Sequence, residues 1–235
     1  MEKNEIAKLL EKEYSFEVFK SIYSKCFDFF IKKGKTCFFI KIYENLNSLN
    51  KKINEDLINL EKFLDTNSII ISNRTSRECL KDYIYIRKNI KVFNFETFIN
   101  YLRNEEIPIY RYGKLVANID FEKMKEKRIK LGYSLSALAK KLKVSKKHLF
   151  EIEIGRVRPS YFLAKKIEKI LEEKLIINSN KKQYSFDDKK VFNFSNFCSI
   201  KGIRDKDKKY VIPKDNPKAL EETEQIAEIF NLKIV

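Results

Sequence analysis

The sequence predicts an α+β protein of several domains, with an N-terminal α/β domain, a central all-α bundle and a small C-terminal α/β segment. Aromatic and β-branched runs alternate with amphipathic helices over residues 1–107 and again over 184–235. Between them, residues 120–175 have helical periodicity, with turn signals about every ten residues. The change of pattern on both sides of the central segment defines the predicted domains.

Composition limits the classes of protein that the chain can belong to. Hydrophobic residues make up 43% of the 235 residues, enough for packed cores. No run of eighteen apolar residues occurs, and the charged start Met1–Glu5 leads into no apolar stretch, so we expect a cytoplasmic protein without membrane helix or signal peptide. One histidine, His148, excludes most histidine-based metal sites and catalytic triads. The cysteines are widely separated, which favours free thiols: Cys26, Cys37, Cys79 and Cys198.

Positive charge is concentrated in the central segment. The chain carries a net charge of +16, and lysine excess alone is also what AT-rich coding DNA produces. Residues 120–174, however, hold sixteen Lys and Arg against eight Asp and Glu, whereas the other 180 residues together carry the same net +8. The central segment is therefore about three times denser in net charge, which is typical of a nucleic-acid-binding patch.

The N-terminal and C-terminal segments contain both strand and helix patterns. Two runs of aromatic and β-branched residues, Phe27–Ile31 and Thr36–Tyr43, lie on either side of the glycine-containing segment Lys32–Lys35. This pattern predicts a β-hairpin. The remaining predicted elements are a helix over Asn4–Glu13, a helix over Leu46–Leu64, strands at Ser68–Ser72 and Tyr83–Ile86, a helix over Glu96–Arg103, strands at Val191–Phe194 and Tyr210–Ile212, a helix over Pro217–Phe230 and a strand at Leu232–Val235. The predicted domains are 1–107, a connector hairpin at 108–119, the helical domain 120–175, a polar linker at 176–183 and a C-terminal module at 184–235.

Start and stop signals divide the central segment into four short helices. Asp120, Ser134, Ser145 and the Pro159-Ser160 pair are suited to the starts of these helices, because short polar side chains accept hydrogen bonds from the first backbone N–H groups. Gly132 and Gly155 are suited to their ends. Apolar residues of the second and third helices, among them Leu138, Ala139, Leu142, Leu149 and Ile152, can pack these two helices together. This arrangement predicts a helix-turn-helix motif.

The third helix, residues 145–154, leaves polar side chains on the face opposite Leu149 and Ile152. Lys146 and Lys147 can bind phosphates or guanine, and Glu151 can accept a hydrogen bond from cytosine. The pattern therefore favours insertion of this helix into the major groove of duplex DNA.

The stretch from Gly132 to Ser145, followed by Glu153–Ser160, resembles the Cro/C1 (XRE-type, lambda-repressor-like) DNA-binding domain. Shared features are Leu-Ala in the second helix, Val-Ser before the third, Glu and Gly at its end, and Arg-x-Pro-Ser before the fourth. The resemblance implies base contacts by Lys146, Lys147 and Glu151. It also implies DNA backbone contacts, by Lys143, Ser145, Arg156 and Arg158. A generic helical bundle is the alternative interpretation of the same pattern.

Two positions depart from this family's pattern. Lys143 occupies the turn where the family usually has glycine, which accepts a positive φ without steric cost. A lysine at this turn predicts about 1 kcal/mol of strain or a different turn. Leu135 replaces a glutamine that contacts phosphate in the family.

The layout of residues 15–174 resembles a family of archaeal HTH-type transcriptional regulators, whose N-terminal domain is similar to restriction-endonuclease-like folds. Such nucleases need an Asp, then an acid-x-Lys sequence on the following strand, to hold Mg²⁺ and activate water. Asp28 and Lys41 match, but Phe39 occupies the acid position and Glu44 is out of phase on the strand. We therefore expect a nuclease-like scaffold that has lost its activity, with Asp28 and Lys41 as vestigial residues and no metal.

These observations predict a repressor-like transcriptional regulator that binds duplex DNA, as a homodimer reading two half-sites. No glycine-rich phosphate loop occurs, so no cofactor is expected. Two other functions stay open at this point: a Mg²⁺-dependent nuclease targeted by the central domain, and an adaptor or antitoxin that uses the same fold for protein contacts.

Overall fold

The computed structural model describes residues 3–34, 36–177, 190–196, 198–205 and 208–235. Within them the helices are α1 (Lys3–Lys12), α2 (Lys51–Leu64), α3 (Phe95–Leu102), α4 (Phe121–Lys130), α5 (Leu135–Leu142), α6 (Lys146–Glu153), α7 (Tyr161–Leu171) and α8 (Pro217–Phe230), with a 3-10 turn at Leu46–Ser48. The strands are β1 (Glu17–Lys20), β2 (Phe29–Lys33), β3 (Thr36–Ile42), β4 (Asn67–Ile71), β5 (Ile84–Arg87), β6 (Ile90–Phe93), β7 (Ile109–Arg111), β8 (Lys114–Val116), β9 (Lys190–Phe192), β10 (Ile200–Asp205), β11 (Lys208–Pro213) and β12 (Lys233–Ile234). The α+β fold class predicted from the sequence is confirmed.

The chain forms two compact units. The first consists of Met1–Leu80, Arg87–Phe95 and Lys182–Val235, and the second of Lys81–Ile86 and Glu96–Lys181. The C-terminal segment therefore belongs to the same unit as the N-terminal residues. The predicted domain boundaries do not coincide with this division and stay predictions, and residues 178–183 of the predicted linker lie outside the described residues.

In the first unit, strands β1, β2, β3, β4 and β6 are neighbours in that order. The β1–β2 and β2–β3 pairs are antiparallel, which confirms the predicted hairpin, and the β3–β4 and β4–β6 pairs are parallel. Phe38, Phe39 and Ile40 on β3 are all buried. Since successive side chains of a strand point to opposite faces, both faces of the sheet are covered at β3.

The C-terminal segment forms a second sheet in the first unit, with the strand order β12-β11-β10-β9. The carboxylate of Glu222, on α8, joins this segment to residues 21–24. It accepts hydrogen bonds from the backbone N–H groups of Ile22 at 2.7 Å and Tyr23 at 2.8 Å, from the Ser21 hydroxyl at 2.9 Å, and from the Ser24 hydroxyl. Burial raises the pKa of Glu222, but hydrogen bonds led by those of Ser24 and Tyr23 outweigh it, so the pKa lies below the ordinary value.

The second unit contains the four predicted central helices. Each predicted N-cap accepts a backbone N–H: Asp120 from Lys123 at 3.0 Å, Ser134 from Ala137 at 3.1 Å, Ser145 from His148 at 3.1 Å and Ser160 from Leu163 at 3.2 Å. The buried core of the bundle includes Met124, Leu138, Ala139, Leu142, Leu149, Ile152, Ala164, Ile167 and Leu171. The unit also holds the predicted hairpin, β7 and β8, which turns at Tyr112 and Gly113 with positive φ.

Two further findings concern the described part of the chain as a whole. None of its helices is long and apolar enough to cross a membrane. All four cysteines are free thiols that form no disulfide bond, as predicted from their spacing.

Candidate nucleic-acid interface

Helix α6 is fixed in the second unit by its apolar face. Leu149 and Ile152 are fully buried in the same cluster as Leu138, Ala139 and Leu142 of α5. The small Ala139 side chain allows the two helices to approach closely. The helix-turn-helix packing predicted from the sequence is therefore present.

An ion pair between the half-buried Arg128 and the buried Glu153 fixes the end of α6. The guanidinium of Arg128, on α4, donates from Nε and Nη2 to the two carboxylate oxygens of Glu153, both at 2.8 Å. Its Nη1 donates to the Tyr133 carbonyl at 2.8 Å. The hydrogen bond with Glu153 raises the pKa of Arg128 above its ordinary value. This two-point pairing restricts rotation of α6 relative to α4, because both hydrogen bonds have to be kept together.

The opposite face of α6 is open to solvent. Lys146 and Lys147 are exposed in the first turn, and Glu151 is half-buried one turn later. The three residues predicted to read bases thus lie together on the side of α6 away from the core. The same face also carries Phe150, and Ile154 follows it as the C-cap of α6; their exposed fractions are 48% and 42%. Sequence reasoning did not single out these two residues.

The residues predicted to contact the DNA backbone flank α6. Lys143 and Ser145 precede it and are exposed, and Arg156 follows it and is exposed. Arg158 is half-buried, and burial together with the charge of Arg111 lowers its pKa below the ordinary value for arginine. The proximity of Arg111 to Arg158 could not be predicted from the sequence, because the two residues are far apart along the chain.

Lys143 ends α5 in the left-handed conformation, with φ 59° and ψ 41°. Its backbone N–H bonds to the carbonyls of Ala139 and Lys140, which closes the helix before the turn. The backbone thus follows the path that favours glycine, as expected from the family's pattern. The lysine bears the steric cost of a Cβ atom in this conformation.

Asp28 and Lys41, the two residues predicted to be vestiges of a nuclease site, lie together in the first unit. The Asp28 carboxylate accepts from Lys3 Nζ at 2.6 Å and Lys41 Nζ at 3.3 Å through one oxygen, and from the Ile42 N–H at 2.7 Å through the other. Asp28 is therefore already neutralised by two ammonium groups. Glu44 lies beyond the end of β3 and is exposed.

An aromatic cluster surrounds Phe39, the residue at the predicted acid position. The Phe39 ring is fully buried, 5.0 Å from the ring centroid of Phe27, 4.9 Å from that of Phe30 and 6.3 Å from that of Phe230 on α8. Phe39 and Lys41 share one face of β3, because they are two residues apart. Among the residues that the structure describes, no three Asp, Glu, His or Cys side chains come together as metal ligands.

Comparisons with known families match two parts of the chain. Residues 3–108 match the PD-(D/E)XK superfamily domain, and residues 124–176 match the helix-turn-helix family. No solved structure matches the chain significantly.

Similar curated proteins come from archaea, and each is named "Putative HTH-type transcriptional regulatory protein". One from Methanococcus maripaludis is 35% identical over 72% of this chain and 52% of its own length. One from Methanocaldococcus jannaschii is 32% identical over 71% of this chain and 53% of its own length. One from Aeropyrum pernix is 34% identical over 61% of this chain and 44% of its own length.

The chain thus spans about half the length of the curated relatives that it matches. The two family matches agree with both resemblances seen in the sequence, to nuclease-like folds at the N-terminus and to helix-turn-helix domains in the centre. We conclude that this chain combines a region that matches the PD-(D/E)XK superfamily domain with one that matches the helix-turn-helix family, the combination expected of the archaeal regulator family that it resembles.

Proposed function

We propose that the chain is a cytoplasmic transcriptional regulator that binds specific sequences of duplex DNA by inserting α6 into the major groove. The observation that carries this proposal is the division of α6 into two faces. One face is fixed in the core by Leu149 and Ile152, and the other presents Lys146, Lys147 and Glu151 together. A rigid helix with exposed polar residues near its N-terminus fits the groove geometry of helix-turn-helix proteins.

The proposed contacts divide by chemistry. Lys146 and Lys147 donate to guanine O6 and N7, and Glu151 accepts from cytosine N4. The DNA backbone contacts belong to Lys143, Ser145, Arg156 and Arg158, whose charge and hydrogen-bonding groups flank the helix. Arg158 and nearby Arg111 repel each other, so a phosphate between them would relieve this repulsion.

We propose that the chain binds as a homodimer. A single helix-turn-helix unit reads few base pairs, and pairing of two copies doubles the number of contacts. Two α6 helices would then enter successive major grooves about 34 Å apart, on a palindromic site.

The test is binding of the full chain to duplexes selected from a randomised library, followed by salt titration. We expect a palindromic consensus, preferred roughly 10³-fold over random duplex, and a salt slope of about 0.9 per neutralised phosphate. Reversal of two charges, Lys146→Glu with Lys147→Glu, should weaken binding roughly 100-fold. The matched control reverses two exposed lysines of α7, Lys166 and Lys169. Equal losses in both double variants would show that only net charge matters, and would refute the assignment of α6.

We also propose that the PD-(D/E)XK domain of this chain has no nuclease activity. Phe39 fills the acid position with a buried aromatic ring, and Asp28 is paired with Lys3 and Lys41. Incubation with supercoiled DNA and Mg²⁺ or Mn²⁺ should therefore leave the DNA intact. Cleavage that persists through purification and is lost in Asp28→Ala would contradict this expectation.

A further inference from the structure

The exposed face of α6 contains a pair of apolar side chains that the core does not require. Phe150 lies on α6, and Ile154 caps the C-terminal end of this helix four residues later, where its backbone N–H donates to the Phe150 carbonyl at 3.0 Å. Their exposed fractions, 48% and 42%, contrast with the fully buried Leu149 and Ile152 beside them. Single exposed apolar residues are common on protein surfaces, so exposure alone does not indicate a function. The evidence for a function is therefore the position of the pair relative to the residues proposed to read DNA.

Phe150 lies within the set of residues proposed to read DNA. It follows Lys146 by four residues and Lys147 by three, the two spacings that place side chains on one helix face. It directly precedes Glu151. The rise of 1.5 Å per residue sets Phe150 about 6 Å beyond Lys146 along the helix axis, a distance of about two base steps.

The major groove offers one apolar feature, the C5 methyl group of thymine, and phenylalanine is one of the side chains that contact it. Lys146 and Lys147, one turn earlier on the same face, would hold the ring close to the DNA by binding neighbouring phosphates or guanines. A protein partner would need an apolar surface ringed by acidic groups, whereas duplex DNA with thymines supplies both features at once.

We propose that Phe150 determines sequence specificity by contacting a thymine methyl group in each half-site. This inference rests on the proposed function, because it requires α6 to enter the major groove. It goes beyond that function in assigning an A·T pair to the middle of the recognition helix, next to the positions read by Lys146, Lys147 and Glu151.

The test removes single methyl groups from the DNA. Thymines of the duplex selected by the wild-type chain are replaced one at a time by deoxyuridine, which keeps base pairing and lacks the methyl group. Wild-type affinity should fall about fourfold at one thymine per half-site, the factor expected for one buried methyl-sized group. The Phe150→Ala chain should bind the unmodified duplex more weakly than the wild-type chain does. Replacement of that thymine by deoxyuridine should cause no further loss of affinity in this variant. Phe162→Ala, which changes an exposed phenylalanine of α7, should behave like wild type.

The outcomes separate this inference from the proposed function. If the wild-type chain selects no consensus, the proposed function fails and the inference fails with it. If a consensus is selected but deoxyuridine has the same effect on wild type and on Phe150→Ala, sequence-specific binding stands and the methyl contact is refuted. A Phe150→Ala chain with unchanged DNA affinity that loses a co-purifying protein would also overturn the inference, and would assign the apolar pair to that protein.

Discussion

At the residue scale, Lys143 is the position where local strain is predicted most directly. Its φ of 59° places a Cβ atom against the following carbonyl, at a cost of about 1–2 kcal/mol. Lys143→Gly removes this cost but adds conformational freedom to the unfolded chain. We therefore expect the glycine variant to raise the free energy of unfolding by about 0.5–1 kcal/mol, measured by urea denaturation of the full chain.

The matched control for this prediction is Lys143→Ala, which removes the charge and keeps the Cβ atom. Alanine should leave stability close to wild type, since the left-handed strain persists. Both variants should weaken DNA binding to the same extent if Lys143 contacts a phosphate. A glycine variant that is no more stable than the alanine variant would mean that the turn accommodates lysine without strain.

At the element scale, elements with chemical start and stop signals were the ones predicted well. Asp120, Ser145 and Ser160 cap helices because their side chains bond to nearby backbone N–H groups, and this chemistry is local. The predicted bounds of α8, with Pro217 in its first turn, agree with the structure for the same reason.

Three of the strands that the structure describes were not predicted from the sequence: β1, β6 and β10. β1 and β6 have only four residues each, and β10 contains Gly202, which weakens a strand pattern. What makes them strands is pairing with distant residues, such as Val18 with Ile31 and Gly202 with Val211. Such pairing is a property of the tertiary structure, and a local pattern does not contain it.

The candidate site also has features that could be predicted from the local sequence and features that could not. The exposure of Lys146 and Lys147 followed from helical spacing opposite Leu149 and Ile152. Phe150 and Ile154 were missed because an apolar residue in an amphipathic helix is normally assigned to the core. The stacking of Phe230 over Phe39 was also beyond prediction, since these residues are far apart in the sequence.

At the scale of the whole molecule, the first unit is assembled from both ends of the chain. Glu222 lies about two hundred residues from Ser24 and is only 2% exposed. An ionised carboxylate is costly to bury, but here several N–H and O–H donors replace its water shell. The C-terminal segment therefore has a structural role in the first unit, which its own sequence did not reveal.

This arrangement predicts a pH dependence of stability that depends on Glu222. Because its pKa in the folded chain lies below the ordinary value of a glutamate, the carboxylate stabilises the fold at neutral pH. That contribution is fully present above the unfolded pKa and is lost as the pH falls through the lower, folded pKa. Glu222→Gln should lower the free energy of unfolding by about 3 kcal/mol at pH 7, since it removes a charged acceptor from several buried donors.

The difference in stability between wild type and Glu222→Gln, followed by urea denaturation from pH 7 to pH 3, isolates this carboxylate from the other acids of the chain. The difference should be constant above about pH 5 and should shrink below pH 4.5 as the wild-type carboxylate takes up a proton. Glu221→Gln, which changes the exposed neighbour on α8, should match wild type at every pH. A difference between wild type and Glu222→Gln that stays constant down to pH 3 would show that the hydrogen bonds to Glu222 do not depend on its charge, and that shape alone holds the C-terminal segment in place.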